Sequence, residues 1–220
     1  MLGLNYAIET KKVDFGASVR YNYRKNDVQS LGQVENFLLG QANSSYSTSK
    51  SASLSRNQNL NGHLRFEWRP DSLTTFFMRG SLSWGDSESA SNSLSATYNS
   101  DPFAIVTNPY MYLDFDSDEN EKLDAVRVNA SDNASLSDGN SLSANLNMQV
   151  TRKLNDKGRN VSLRVRGSYG ENESDRYSNN ITRYYGDGII TVEDTIRRYI
   201  TTPTNNYSIS GTRLAHQIYP

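Results

Sequence analysis

The stretch that decides the fold runs Val13-Asp14-Phe15-Gly16-Ala17-Ser18-Val19-Arg20-Tyr21-Asn22-Tyr23. Every second residue from Val13 onward is apolar or aromatic, and the residues between them are polar or glycine. Because successive side chains of a β-strand point to opposite faces, this period of two predicts a strand with one apolar and one polar face.

The same alternation recurs in five more stretches, residues 2–8, 60–68, 74–84, 142–150 and 161–169. In all six stretches the apolar positions hold no Asp, Glu, Lys or Arg, although 21% of the chain is charged. The pattern therefore predicts an antiparallel sheet of about six to seven strands, one face of which tolerates no charge.

Composition narrows the class of protein. The 220 residues carry a net charge of −1 with dispersed charges, so no basic patch points to a nucleic-acid partner. No run approaches the roughly 20 apolar residues that a spanning helix needs. The mean hydropathy of −0.70 is compatible with membrane strands, in which only every second residue faces lipid.

Short and long connections alternate along the chain. Residues 10–12, 69–72 and 153–160 form short turns, whereas residues 24–59, 85–141 and 171–206 are predicted to be long loops. In an up-and-down meander this order places all short turns at one end of the sheet and all long loops at the other, as in outer-membrane barrels. Residues 184–200 are predicted to form a further hairpin within the last loop, with a seventh strand starting near Asn206.

The alternation also assigns the two faces. The candidates for contact with lipid are Val19, Tyr21, Phe66, Trp68, Trp84, Leu146 and Val165. The candidates for a lumen are Arg20, Arg65, Glu67, Arg79, Arg164 and Arg166. We expect these arginines to pair with neighbouring carboxylates, and contact with an anionic plug or substrate is the alternative. Aromatic residues near both strand ends are typical of the girdles of membrane barrels.

Two segments resemble a known family. Residues 13–23 and the stretch Leu64-Arg65-Phe66-Glu67-Trp68-Arg69-Pro70-Asp71-Ser72 are similar to the C-terminal barrel of TonB-dependent receptors, in the outer-membrane β-barrel family. Residues 95–103 and the strand–turn–strand at 142–170 also resemble that family. The resemblance covers roughly residues 13–170, and its strongest piece is the turn from Trp68 to Ser72.

The resemblance implies a barrel of about 22 strands closed by an N-terminal plug. It implies uptake of large nutrients (metal chelates, cobalamin or glycans) through the outer membrane, powered by TonB. We expect residues 1–220 to be one partial barrel domain, whose partners are the outer-membrane bilayer, the rest of its own barrel and plug, and TonB through the parent protein.

No catalytic or cofactor-binding residue is predicted, and enzyme activity is not expected. Asp114, Asp116 and Asp118 begin like a calcium loop, but the sixth position is Glu119 and the twelfth is Ala125, so the EF-hand pattern fails. A solvated acidic loop is the default interpretation of this segment, and the three carboxylates are a weak metal candidate. Two distant histidines and no cysteine do not suggest zinc.

Alternation alone also fits a soluble, exported β-sandwich or lectin-like binding domain, since a sandwich likewise has one apolar face. Long loops at one end and an apolar face without charge favour the membrane barrel. A small closed barrel of eight strands is the third alternative.

Overall fold

Long β-strands dominate the computed structural model, which describes residues 1–37, 45–115, 120–155 and 159–216. The strands are β1 (Leu2–Glu9), β2 (Val13–Asn36), β3 (Ser45–Trp68), β4 (Thr74–Tyr98), β5 (Arg127–Lys153), β6 (Asn160–Gly186), β7 (Ile189–Thr201) and β8 (Thr204–His216). The predicted fold class is confirmed, because the chain is an all-β, antiparallel, up-and-down meander.

Each strand from β1 to β6 pairs with the next one along the chain, and β8 pairs with β6. The predicted turns at 10–12 and 69–72 fall between β1 and β2 and between β3 and β4. The third, predicted at 153–160, falls between β5 and β6 and lies partly outside the described residues. Within the described ranges no pairing joins β1 to β7 or β8, so the sheet is open and is not a closed barrel.

The last two strands occupy one edge of β6. β7 pairs with the far half of β6, from Asp175 to Gly186, and β8 pairs with the near half, from Asn160 to Asn172. Both run in the same direction, and only Thr202 and Pro203 separate them. The Thr202 amide donates to the Ser174 carbonyl at 2.8 Å, so the ladder continues across the break, although Pro203 has no N–H to give. The predicted seventh strand is thus the continuation of the predicted hairpin.

The turn of that hairpin follows its sequence. β6 ends at Gly186, and Asp187 and Gly188 have φ of 53° and 78°. Positive φ at both central residues is the type I′ geometry that fits the twist of a hairpin, and Asp-Gly is a favoured pair for it.

The prediction of long loops is largely wrong. β2 and β3 extend through most of residues 24–59, β4 and β5 cover 85–98 and 127–141, and residues 171–206 are almost entirely strand. Strands of 24 to 27 residues are roughly 80–90 Å long, at 3.4 Å per residue. The serine-rich sequences pair because their neighbours, already in register near the short turns, offer an unbroken row of backbone partners.

The true insertion is residues 99–126, with two short 3₁₀ turns and the helix α1 (Glu121–Asp124). It folds back on the far ends of β4 and β5, where Leu113 and Leu123 are buried against Tyr98 and Ala130. This small cluster is the only group of buried apolar side chains in the described ranges, so most of the apolar surface of the sheet remains exposed.

Candidate functional site: the two faces of the sheet

One face of the near half of the sheet is apolar on every strand. We call it the apolar face, and its central rung is Tyr6, Ala17, Leu64, Gly80, Leu146, Gly167 and Ile209. The rungs directly above and below are also free of charge. Many of these side chains are exposed, including Leu4, Val19, Leu82 and Leu146. All seven predicted lipid-facing residues lie on this face.

Aromatic side chains border the apolar face at both ends. Towards the short turns, Phe66 and Phe76 pack edge to face with centroids 6.0 Å apart, and Trp68 lies beside them. Towards the far end, Tyr21 and Trp84 flank Leu60 in one rung. The Tyr21 hydroxyl donates to Gln58 Oε1 at 2.9 Å, away from the apolar rungs. The aromatic rings thus mark two edges of an apolar band.

Beyond the far edge the same face becomes acidic. The first two rungs past Trp84 carry five carboxylates against Lys25 and Arg56, and Glu171 lies at the edge of the band; the five are Asp86, Glu88, Asp138, Glu173 and Asp175. Arg56 pairs with Glu88 at 3.5 Å, and both side chains are about half exposed, so this ion pair is worth little. The change from apolar to acidic takes a single rung on β4.

The opposite, polar face is made of small hydroxyl and amide side chains. On β4 it carries Ser81, Ser83, Gly85, Ser87, Ser89, Ser91, Ser93 and Ser95, and on β3 it carries Ser45, Ser47, Ser49, Ser51, Ser53, Ser55, Asn57, Asn59 and Asn61. The hydroxyls pair across strands, with Ser91 and Ser135 at 2.8 Å and Ser95 and Ser131 at 2.9 Å. Such cross-strand pairs stabilise the ladder and leave a smooth polar wall.

The polar face is concave. A groove of about 920 Å³ is lined mainly by polar-face residues of β1 to β6 and of β8, from Asn5 at one edge to Ser208 at the other, with residues of the central rung between them. Arg65, Arg79 and Arg166 share one rung in its wall. Since both edges of the sheet contribute to one groove, the sheet curls around its polar side.

Five of the six predicted lumen residues are arginines of this face, and Glu67 lies beside them. Arg65 pairs with Asp14 at 3.1 Å and with Glu67 at 3.5 Å, and Arg164 donates to Gln149 at 3.0 and 2.6 Å. Arg79 lies over the Phe77 ring at 5.4 Å. In the described part of the chain, no carboxylate lies within salt-bridge distance of Arg20, Arg79, Arg164 or Arg166. The expected pairing with neighbouring carboxylates therefore describes Arg65 alone.

Sequence reasoning missed three arginines of the same face. Arg24, Arg176 and Arg198 lie on the polar side of the far half, which the sequence reading assigned to loops. Arg176 and Arg198 border a second, smaller groove of about 300 Å³ with Ser91 and Ser135. The alternation of serine along β3 and β4 is the sequence signal of strands in this half, but its contrast is weak because both faces are polar.

The far end also holds a polar pocket of about 310 Å³ between the insertion and the β6–β7 hairpin. Arg127, whose side chain is 8% exposed, lies in its wall, pairs with Asp124 at 3.0 Å and donates to the Tyr112 carbonyl at 2.9 Å. Burial lowers the pKa of Arg127, but contacts with Tyr98, Tyr185 and Asp124 outweigh it and raise the pKa above its ordinary value. The guanidinium therefore serves as a fixed cation that holds the insertion.

Of the three metal candidates, only Asp114 lies within the described residues. Asp114 lines that polar pocket, whereas Asp116 and Asp118 lie outside the described residues. Across the described ranges, no three His, Cys, Asp or Glu side chains converge on a point where a metal ion would bind. The loop aromatics Phe103 and Tyr110 pack edge to face at 5.7 Å.

The chain matches no known family model and no curated protein in sequence. The helices of the described ranges have four residues or fewer, and none is long or apolar enough to cross a membrane.

Proposed function

We propose that this chain forms part of the barrel wall of a TonB-dependent transporter in the bacterial outer membrane, which takes up large nutrients. The observation that carries the proposal is the exposed apolar face of the sheet, which carries no charge on β1 to β6 between its aromatic borders; on the edge strand β8, Arg213 lies in the border rung of Trp68 and Phe76. A soluble β-sandwich buries such a face against a second sheet, and in the described ranges all eight strands belong to one sheet.

The length of the apolar band along the strands supports the proposal. From Phe76 to Trp84 it covers nine residues of β4, roughly 27 Å at 3.4 Å per residue. A tilted membrane strand needs about 9–11 residues to cross the bilayer, and membrane barrels carry aromatic girdles at both borders. The concave polar face suits the lumen side of such a wall.

The slope of the band is a second support. On β4 and β5 the band ends at Trp84 and Leu142, which share a rung, whereas on β6 it ends one rung nearer the short turns, at Tyr169. At the border beside the short turns, the band on β6 also begins one rung nearer those turns, because Val161 is apolar whereas its partner Arg152 on β5 is charged. Both borders move the same way, as expected where tilted strands cross a plane.

Two tryptophans make the proposal testable. Trp68 and Trp84 are the only tryptophans, and they lie on the apolar face at opposite borders. The variants Trp68→Phe and Trp84→Phe each keep one reporter. After folding into phosphatidylcholine vesicles, we expect nitroxide lipids labelled near the headgroup to quench either reporter strongly, and lipids labelled at mid-chain to quench it less.

The matched control moves the reporter to the other face at the same height. Ser83→Trp, in a chain that also carries Trp68→Phe and Trp84→Phe, places the indole on the polar face beside position 84. We expect acrylamide in the water to quench this reporter and labelled lipids to leave it unaffected. Equal lipid quenching of positions 83 and 84, or no lipid quenching of either native tryptophan, would refute the proposal.

A further inference from the structure

Charges on the polar face of this sheet are of one sign over most of its height. From the rung of Gly16 and Arg65 to the rung of Ser30 and Ser51, the polar face of the described strands carries seven arginines and no Asp or Glu; the arginines are Arg20, Arg24, Arg65, Arg79, Arg166, Arg176 and Arg198. All seven are exposed. The acidic residues at the same heights lie on the other face, although the whole chain has a net charge of only −1.

The seven arginines are spread along the length of the strands. From the rung of Arg166 to the rung of Arg198, which pairs with Ser178, the distance along β6 is roughly 40 Å, at 3.4 Å per residue. Arg79 and Arg166 are two strands apart, with Asn147 between them, which is roughly 10 Å at 4.8 Å per strand. Of the seven, Arg65 alone pairs with carboxylates in the described ranges, those of Asp14 and Glu67. The positive charge of the other six, along a concave wall, raises the local concentration of anions.

On β3 to β6 the wall between the arginines offers hydrogen bonds and no apolar side chain, whereas exposed Val28 on β2 and exposed Ile196 and Ile200 on β7 lie on the same face at these heights. Over these rungs the polar face of β3 to β6 consists of Ser, Asn, Gly, Arg and His63. A surface that docks another protein has an apolar core and is depleted in serine. The wall therefore fits a hydrated, elongated ligand better than a folded polypeptide.

We propose that the concave polar face binds elongated anionic solutes, with sulfate, phosphate or carboxylate groups meeting successive arginines and the hydroxyl and amide wall solvating the remainder. Arg79 and Arg166, in the wall of the larger groove, form its central anchor. This inference rests on the proposed function, because it names the substrate class of the proposed transporter.

A binding measurement on the chain in a nonionic polyoxyethylene detergent tests this face without requiring vesicle insertion. The probe is a fluorescein-labelled dextran sulfate hexamer, and the neutral dextran hexamer is its uncharged counterpart. We expect binding of the sulfated probe alone, weakened by added salt. The double variant Arg79→Gln with Arg166→Gln should bind it about 100-fold more weakly, at about tenfold for each charge-assisted contact.

The control variant, Arg56→Gln with Arg197→Gln, removes the same charge from the opposite face. We expect its affinity to stay within about twofold of the wild type. Equal weakening by both double variants, or equal binding of the neutral hexamer, would overturn the proposal. Binding of a polyglutamate peptide of matched charge at least tenfold more tightly would overturn it in favour of an acidic polypeptide partner. Failure of the vesicle test with retained arginine-dependent binding would remove the membrane function alone.

Discussion

Substituting an arginine into the middle of the apolar band tests whether this face contacts lipid or another sheet. Leu146 lies in the central rung, four residues from Leu142 at one border and four from Val150 at the other. Each border is therefore roughly 14 Å away along the strand. In a bilayer, arginine at this depth costs about 2–4 kcal/mol, but only about 0–1 kcal/mol near the interface.

The comparison of Leu146→Arg with Val150→Arg tests depth at nearly constant exposure. Leu146 is 42% exposed and Val150 is 38% exposed, so in water the two substitutions should have similar effects. In lipid we expect Leu146→Arg to lower the equilibrium ratio of folded to unfolded chain roughly 30- to 700-fold, at tenfold per 1.4 kcal/mol, and Val150→Arg less than about tenfold. Asn145→Arg, on the polar face, should cost less than about 1 kcal/mol, through repulsion by Arg79 and Arg166.

The assay is urea-dependent folding into phosphatidylcholine vesicles, followed by the fluorescence of the two native tryptophans, with all variants compared at one lipid concentration. The reasoning fails if Leu146→Arg and Val150→Arg are equally destabilising, because the cost would then not depend on depth. It also fails if Asn145→Arg is as harmful as Leu146→Arg, because the two faces would then be equivalent.

Three further predictions concern the turns and the far end. The Asp71 carboxylate accepts hydrogen bonds from the Leu73 amide and from the Thr74 amide and hydroxyl, and these bonds lower its pKa. The stability that they contribute should be complete above the unfolded pKa of about 3.9 and lost as pH falls through the lower folded pKa. Urea titrations of Asp71→Ala and wild type should therefore converge at low pH, and a constant difference would contradict this. Arg127→Met removes the cation that pairs with the buried Asp124, and breaking a buried ion pair costs about 3–5 kcal/mol. Hydrogen exchange should therefore accelerate in residues 99–126 but not in the near half of the sheet. Gly188→Ala places a Cβ at φ 78° and should destabilise the β6–β7 hairpin by about 1 kcal/mol, measured by exchange of its amides, whereas unchanged exchange would show that the turn is not held at positive φ.

The near half of the sheet was predictable because its two faces differ in chemistry. Apolar residues alternate with polar ones in residues 13–23, and the short turns contain turn-forming residues such as Pro70 and Asp71, so the strands and the faces of their side chains follow directly. The far half was mistaken for loops because both of its faces are polar. Ser47, Ser49 and Ser51 alternate with residues as varied as Thr48 and Lys50, and this weak contrast does not distinguish a strand from a polar loop.

The arginine row was only partly predictable for the same reason. Arg65 and Arg79 lie in stretches of clear alternation, so their shared face could be inferred, but their shared rung depends on the register between strands. Arg176 and Arg198 required the discovery that β6 and β7 are continuous with the sheet. Non-local pairing, which no short sequence window contains, assembles the candidate site.

The two faces of β4 differ in where their chemistry changes, and this difference bears on what surrounds the sheet. The apolar face passes from Trp84 to Asp86 and Glu88 within two rungs, whereas the polar face continues as serine and glycine from Ser81 to Ser95 across the same height. If the far half were simply a different structural module, both faces would change together. A border on one face alone requires that the surroundings change on that side only. An apolar slab with water above it, outside a continuously hydrated concave wall, would produce this pattern, and for this reason we favour a membrane over a second sheet as the partner of the apolar face.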